Sequence, residues 1–139
     1  MVQIISGKKG KGKTPILLEK ANNAVKTSEG SIVYLDKSTK HIYELSNKIR
    51  LNNVLDYGID NHDKFIGFIS GIIAQDHDIE QVYLDSFLKL SCQEGEDITT
   101  TVQFLDKIGS DNQVTFVLSV SADEHELPEA VKKYIEVSL

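Results

Sequence analysis

The chain has 139 residues, a net charge of −6 and one cysteine, Cys92. That length fits one domain, residues 1–139, burying roughly two-thirds of its unfolded surface. The acidic balance argues against a general nucleic-acid binder, whose footprint would be basic; the single cysteine excludes an intrachain disulfide and a Cys-rich zinc site.

Val2–Ser6 is a short apolar run and reads as a buried strand. Gly7-Lys8-Lys9-Gly10-Lys11-Gly12-Lys13-Thr14 follows, matching G-x-x-x-x-G-K-[ST] at every fixed position. Residues 13–27 continue as a helix, with Leu17, Leu18, Ala21, Ala24 and Val25 on one face. Pro15 is tolerable there because N–H groups of a first turn have no partner within the helix. Ser31–Leu35 is a second strand, closing on Asp36, followed by a short helix around His41–Asn47 and a short edge strand at Ile49–Leu55.

Asp60-Asn61 can cap a helix running to about Ala74, with Phe65, Phe68, Ile69, Ile72 and Ile73 on its apolar face. Gly67 and Gly71 lie inside it against helix propensity, which points to close packing. Ile79–Asp85 is a strand ending in an acid, and residues 86–93 continue as a short helix. Residues 97–108 form another helix, closed by Gly109. Val114–Val120 is a strongly apolar strand, Pro128 starts a helix, and Ile135–Leu139 is a last short strand.

Strands alternating with helices imply an α/β domain with a mainly parallel sheet covered on both faces, a three-layer sandwich. The carboxyl ends of the strands then share one edge, where open α/β sheets bind ligands. At that edge the glycine-rich loop can curl its N–H groups into a nest for a polyphosphate, supported by the dipole of the following helix. Gly7, Lys8, Lys9, Gly10, Lys11, Gly12, Lys13 and Thr14 are thus the candidate nucleotide-binding residues. Lys13 would neutralise terminal phosphates and the Thr14 hydroxyl would ligand Mg²⁺. The four loop lysines concentrate positive charge on an acidic body, aimed at a small anion.

A P-loop needs a metal-side acid, because the charge developing on the phosphates must be neutralised. Asp85, ending Val82-Tyr83-Leu84, has that pattern (Walker B), so Thr14 and Asp85 are the expected Mg²⁺ ligands. Hydrolysis also requires a group that orients or activates water. Ser86 stands where many P-loop ATPases carry a glutamate, which leaves Asp36 as the candidate base, with a capping or turn acid as the alternative. Arg50 is the only arginine, so any arginine finger within a homo-oligomer must be Arg50 or be replaced by a lysine. Ser119 and Ser121 could reach the γ-phosphate or cap the loop that follows. Asp76-His77-Asp78 lacks further ligands at metal spacing and reads as a solvated turn; His41, His62 and His125 are scattered.

These motifs resemble the RecA-like branch of P-loop NTPases. Val2–Thr14 is similar to its first strand and Walker A loop, and Tyr83-Leu84-Asp85-Ser86 to its Walker B. The strand ending Tyr34-Leu35-Asp36 is similar to the one that bears the catalytic glutamate in that branch; the position two residues on is here Ser38. The resemblance implies a five-stranded sheet of order 5-1-4-3-2, with the strand at 114–120 between the P-loop and Walker B strands. Through Ile4–Thr14, Ile32–Lys40, Asn47–Leu51, Gln75–Leu90 and Leu118–Ser121 the chain also resembles small stand-alone ATP-binding proteins of Firmicutes, often labelled as similar to twitching-motility (pilus-retraction) ATPases. There is no room for the amino-terminal domain of a pilus motor, so the motor function is not carried over.

The expected function is Mg-ATP binding with slow ATPase activity, Lys13, Asp85 and Asp36 being the catalytic candidates. The alternatives are an ATP-dependent switch with little hydrolysis and a small-molecule kinase of nucleoside type. A homo-oligomer or a protein partner stays open. No signal-peptide pattern and no membrane-length apolar segment occur, so the expected location is the cytoplasm.

Overall fold

We describe a computed structural model covering residues 1–139. Its strands are β1 (Val2–Ser6), β2 (Ser31–Asp36), β3 (Ile49–Asn53), β4 (Ile79–Leu84), β5 (Thr115–Val120) and β6 (Ile135–Ser138). Its helices are α1 (Lys13–Val25), α2 (His62–Gln75), α3 (Phe87–Leu90), α4 (Thr99–Asn112) and α5 (Glu129–Lys132). The sheet runs β3-β2-β4-β5-β1-β6, and every pairing is parallel. The sheet therefore has six strands rather than five. The expected order survives within it: β5 lies between β1 and β4, and the extra strand is β3, added outside β2.

Alternate side chains divide the sheet's core between its faces, as the period-2 geometry of strands requires. On one face Val33, Leu35, Val82, Leu84 and Phe116 pack with Phe65 and Ile69 of α2 and with Val102 and Leu105 of α4. On the other, Ile5, Tyr34, Tyr83 and Val117 pack under Leu17, Leu18 and Ala21 of α1. The three layers of an α/β sandwich are thus in place. No helix is long and apolar enough to cross a membrane.

Several local expectations change. Residues 41–47 form turns, not a helix. Their amides bond three residues back (Ile42 N–H to the Thr39 carbonyl, Glu44 N–H to the His41 carbonyl), and Asn22 of α1 clamps the segment. The Asn22 side chain donates to the Glu44 carbonyl and accepts from the Ser46 amide, both at 2.8 Å. A tertiary tie has here overridden local propensity. Gly109 does not close α4: the helix continues to Asn112 and ends on Gln113 at φ 55°. Gly109 is instead a contact point, where a Cβ would stand 2.6 Å from the Val114 carbonyl oxygen. Gly67 and Gly71 are the reverse case. Both are solvent-exposed with no atom within 4 Å of a would-be Cβ, so close packing does not explain them. Asn61 caps α2, its side chain accepting from the Lys64 amide at 2.9 Å.

Candidate functional site: a cleft at the carboxyl edge of the sheet

The loop between β1 and α1 holds Gly10 and Gly12 at φ 86° and 96°, backbone that L-residues with a Cβ rarely adopt. Gly12 is also the N-cap of α1. Successive amides turned in this way form an anion-binding nest over a helix N-terminus. Gly7 is held small for a different reason, since a Cβ there would meet Leu139 Cβ at 2.9 Å. Lys13 is buried at the start of α1, and its ammonium donates to the Lys8 carbonyl at 3.1 Å, lying across the loop. Burial lowers the pKa of Lys13 from its ordinary value, while Asp85 acts in the opposite direction. Lys8 points aside, ion-paired with Asp123 at 3.3 Å.

Asp85 follows β4 directly and is 3% exposed. Its amide donates to the Leu35 carbonyl, 2.9 Å, which fixes its height beside β2. Three hydroxyls converge on its carboxylate. Thr14 Oγ1 donates to Oδ1 at 3.2 Å, Ser119 Oγ to Oδ1 at 2.9 Å, and Tyr34 Oη to Oδ2 at 2.8 Å. Ser119 in turn accepts from the Ser86 amide at 2.8 Å. Ser86 takes a left-handed conformation, φ 62° and ψ 51°, turning the chain sharply away from the carboxylate into α3. Tyr34 is fully buried and stacked on Tyr83, with ring centroids 6.0 Å apart. Burial, then the charge of Asp85, pushes its hydroxyl pKa up, so it stays a donor. Ser119 thus serves the Asp85 carboxylate, where the sequence left a γ-phosphate contact or a loop cap open.

Thr14 and Asp85 offer two hard oxygens on one spot at the mouth of the loop. That donor set suits Mg²⁺, which takes one or two protein oxygens and completes its shell with water and substrate phosphates.

Asp36 ends β2 next to Asp85, one strand spacing away. It is 3% exposed; Oδ1 accepts from the Lys37 amide at 2.7 Å, while Oδ2 is buried without a partner. Burial, then the charge of Asp85, raises its pKa above the usual carboxylate value; the Lys37 amide, His41 and the Lys37 charge act against this. A carboxyl with a raised pKa and a free oxygen lining a cleft is what a proton acceptor needs.

These residues share one cleft of about 660 Å³, with Lys9, Gly10, Gly12, Lys13 and Thr14 on one wall and Asp36 and Asp85 in its floor. Ser121 also lines it. Lys37, Lys40 and His41 line it too, which sequence reasoning did not single out; no motif marks them, and only the topology brings the segment after β2 to this edge. Tyr34 was equally unmarked, reading as one more apolar strand residue. Arg50 lies outside the cleft of its own chain, on β3, paired with Asp76 at 3.4 Å. Asp76 also accepts from the Asp78 amide at 2.9 Å, in the local bonding of a turn. His62 bonds the Ser91 carbonyl and the Thr101 hydroxyl away from the cleft, and His125 is exposed beside Asp123 and Glu126.

The sheet order and layering are those of a RecA-like fold. Among solved structures the chain is similar to the flagellar accessory protein FlaH from Methanocaldococcus jannaschii, with a TM-score of 0.59 and 14% sequence identity. The likeness covers 95% of this chain and 65% of that one, so the chain spans less than two-thirds of its structural neighbour. At that identity the likeness carries the fold alone. No protein-family model matches the chain, and no curated protein matches it in sequence.

Proposed function

We propose that this protein binds Mg-ATP at Gly7–Thr14 and Asp85 and hydrolyses it slowly. The observation that carries the reading is the meeting of Thr14 and Asp85 at 3.2 Å beside a glycine nest, with Tyr34 and Ser119 holding the carboxylate. Loop amides and the start of α1 would cradle the phosphates, and Lys13 would move from the Lys8 carbonyl to the terminal phosphates. Thr14 and Asp85 would hold Mg²⁺, which would supply charge neutralisation at the phosphates. Asp36 Oδ2, buried without a donor, would accept a hydrogen bond from the attacking water and then its proton. The resemblance of several segments to small stand-alone ATP-binding proteins of Firmicutes supports the same reading.

The test is phosphate release from Mg-ATP by the wild type, Lys13→Ala, Asp85→Asn and Asp36→Asn. Release lost in all three variants supports the ATPase. Mg-ATP binding without release would favour a switch, and release that needs an added nucleoside would favour a kinase.

A further inference from the structure

The cleft carries more positive charge than the loop accounts for. Lys9 and Lys13 stand on the loop side, and Lys37, Lys40 and Lys89 line the cleft with His41 beside them. The chain is acidic; Lys8, Lys64, Lys107 and Lys132 have carboxylate partners, while Lys11, Lys20, Lys26, Lys48 and Lys133 outside the cleft have none, so what sets the cleft lysines apart is that they line one concave surface. Lys9, Lys37, Lys40 and Lys89 have no ion-pair partner, although Glu94 lines the same cleft and His41 pairs with Glu44. Unpaired like charges around a concave surface repel one another, and a bound anion removes that cost.

Position separates Lys37, Lys40 and His41 from the loop, while Lys89, on α3 after β4, stands one strand nearer to it. Between β1 and β2 lie β5 and β4, so the carboxyl end of β2 stands three strand spacings, about 14 Å, from that of β1. A phosphate chain seated in the loop meets Asp85 first and Asp36 next; Lys37, Lys40 and His41 come after both. The only apolar residue in the lining is Leu88, so this part of the cleft suits a small polar molecule rather than an apolar one.

We propose that Lys37, Lys40, His41 and Lys89 form a second anion subsite, which seats a phosphate group beside the position of the nucleotide's terminal phosphate. The proposal rests on the nucleotide reading above and names what else the cleft takes. The phosphate belongs either to free inorganic phosphate or to a small organic phosphate ester.

The experiment fills the loop first. The full chain is saturated with Mg²⁺ and the non-hydrolysable analogue AMP-PNP, followed by melting temperature, and then titrated with inorganic phosphate or glycerol 2-phosphate by calorimetry. Both probes are expected to bind the loaded protein. Tighter binding of the ester identifies an organic second ligand; equal binding identifies a site for phosphate alone. In Lys37→Ala/Lys40→Ala, which keeps the Lys37 amide on Asp36, phosphate affinity should fall about tenfold, and by more than AMP-PNP affinity does. Three results overturn the subsite: neither probe binds the loaded protein; binding is the same in the double variant; or the double variant loses more AMP-PNP affinity than phosphate affinity, which assigns the lysines to the nucleotide. Absence of AMP-PNP binding to the wild type is a separate outcome and removes the nucleotide reading together with the subsite built on it.

Discussion

Tyr34→Phe isolates the hydroxyl that holds Asp85. The ring stays, and with it the stack on Tyr83 and the packing under α1. What disappears is one donor, 2.8 Å from a carboxylate oxygen in a residue 3% exposed. A hydrogen bond to a charged group contributes about 1.5–3 kcal/mol, and a buried acceptor left alone pays its desolvation. We therefore expect a loss of about 2 kcal/mol in unfolding free energy, seen as a fall in melting temperature of roughly 5–8 °C for a domain of this size. Urea unfolding with an unchanged m-value would show that the loss belongs to the folded state. Tyr83→Phe is the control. Its hydroxyl bonds the neutral Gln81 side chain at a less enclosed position, so the expected loss is about 1 kcal/mol or less. If Tyr34→Phe costs under about 0.5 kcal/mol, or no more than Tyr83→Phe, Tyr34 does not hold the carboxylate. A second readout follows from orientation: supporting groups behind a metal ligand are worth about 10–100-fold in metal affinity, so Tyr34→Phe should raise the Mg²⁺ concentration needed for nucleotide binding by about tenfold.

Asp36 has a raised pKa in the folded state, so between the ordinary carboxylate pKa and the folded one the native protein holds more protons than the unfolded chain. Stability from this group therefore falls as pH rises through that window and is level above it. Asp36→Asn should flatten that segment of the stability–pH curve and leave the protein at least as stable at neutral pH while abolishing phosphate release; an unchanged slope would refute the assignment. Gly67→Ala and Gly71→Ala should each stabilise by about 0.5–1 kcal/mol, because both lie exposed in α2 with open space around a Cβ; chemical denaturation measures it, and destabilisation would mean that something covers that face. Gly30→Ala should act in the opposite sense, with a loss of about 2 kcal/mol or more, since its Cβ would stand 2.2 Å from the Asp78 carbonyl oxygen that receives the Ser31 amide.

Local signals carried much of the fold. The glycine loop, the apolar strand runs and the Asn61 cap are short-range patterns, and the periodic face of α2 announces Phe65, Ile69 and Ile73, all buried. Long-range ties were not legible. Nothing near residues 41–47 shows that Asn22 will clamp them into turns, and nothing separates the contact glycines Gly30 and Gly109 from the exposed Gly67 and Gly71. The β3 strand was legible as a short edge strand, and it does stand at the edge beside β2; what was missed is that it makes the sheet six-stranded, because the resemblance counted only the five core strands. At the site, Thr14, Asp85 and Asp36 follow from their places in motifs and at strand ends. Tyr34 does not, because its hydroxyl acquires a role only when β2 is set beside β4 and the two tyrosines share register. Lys37, Lys40 and His41 reach the cleft for the same reason, through topology rather than spacing.

The central claim is that Gly7–Thr14 grips the phosphates of a magnesium nucleotide. Its most direct test is calorimetric titration of the wild type and Lys13→Ala with Mg-ATP, paired with melting curves. If the dissociation constant is about 10 µM, 1 mM Mg-ATP stabilises the fold by about 2.7 kcal/mol, and Lys13→Ala should lose most of that gain while melting normally without ligand. Absence of binding to the wild type at millimolar Mg-ATP, or equal binding by Lys13→Ala, contradicts the account.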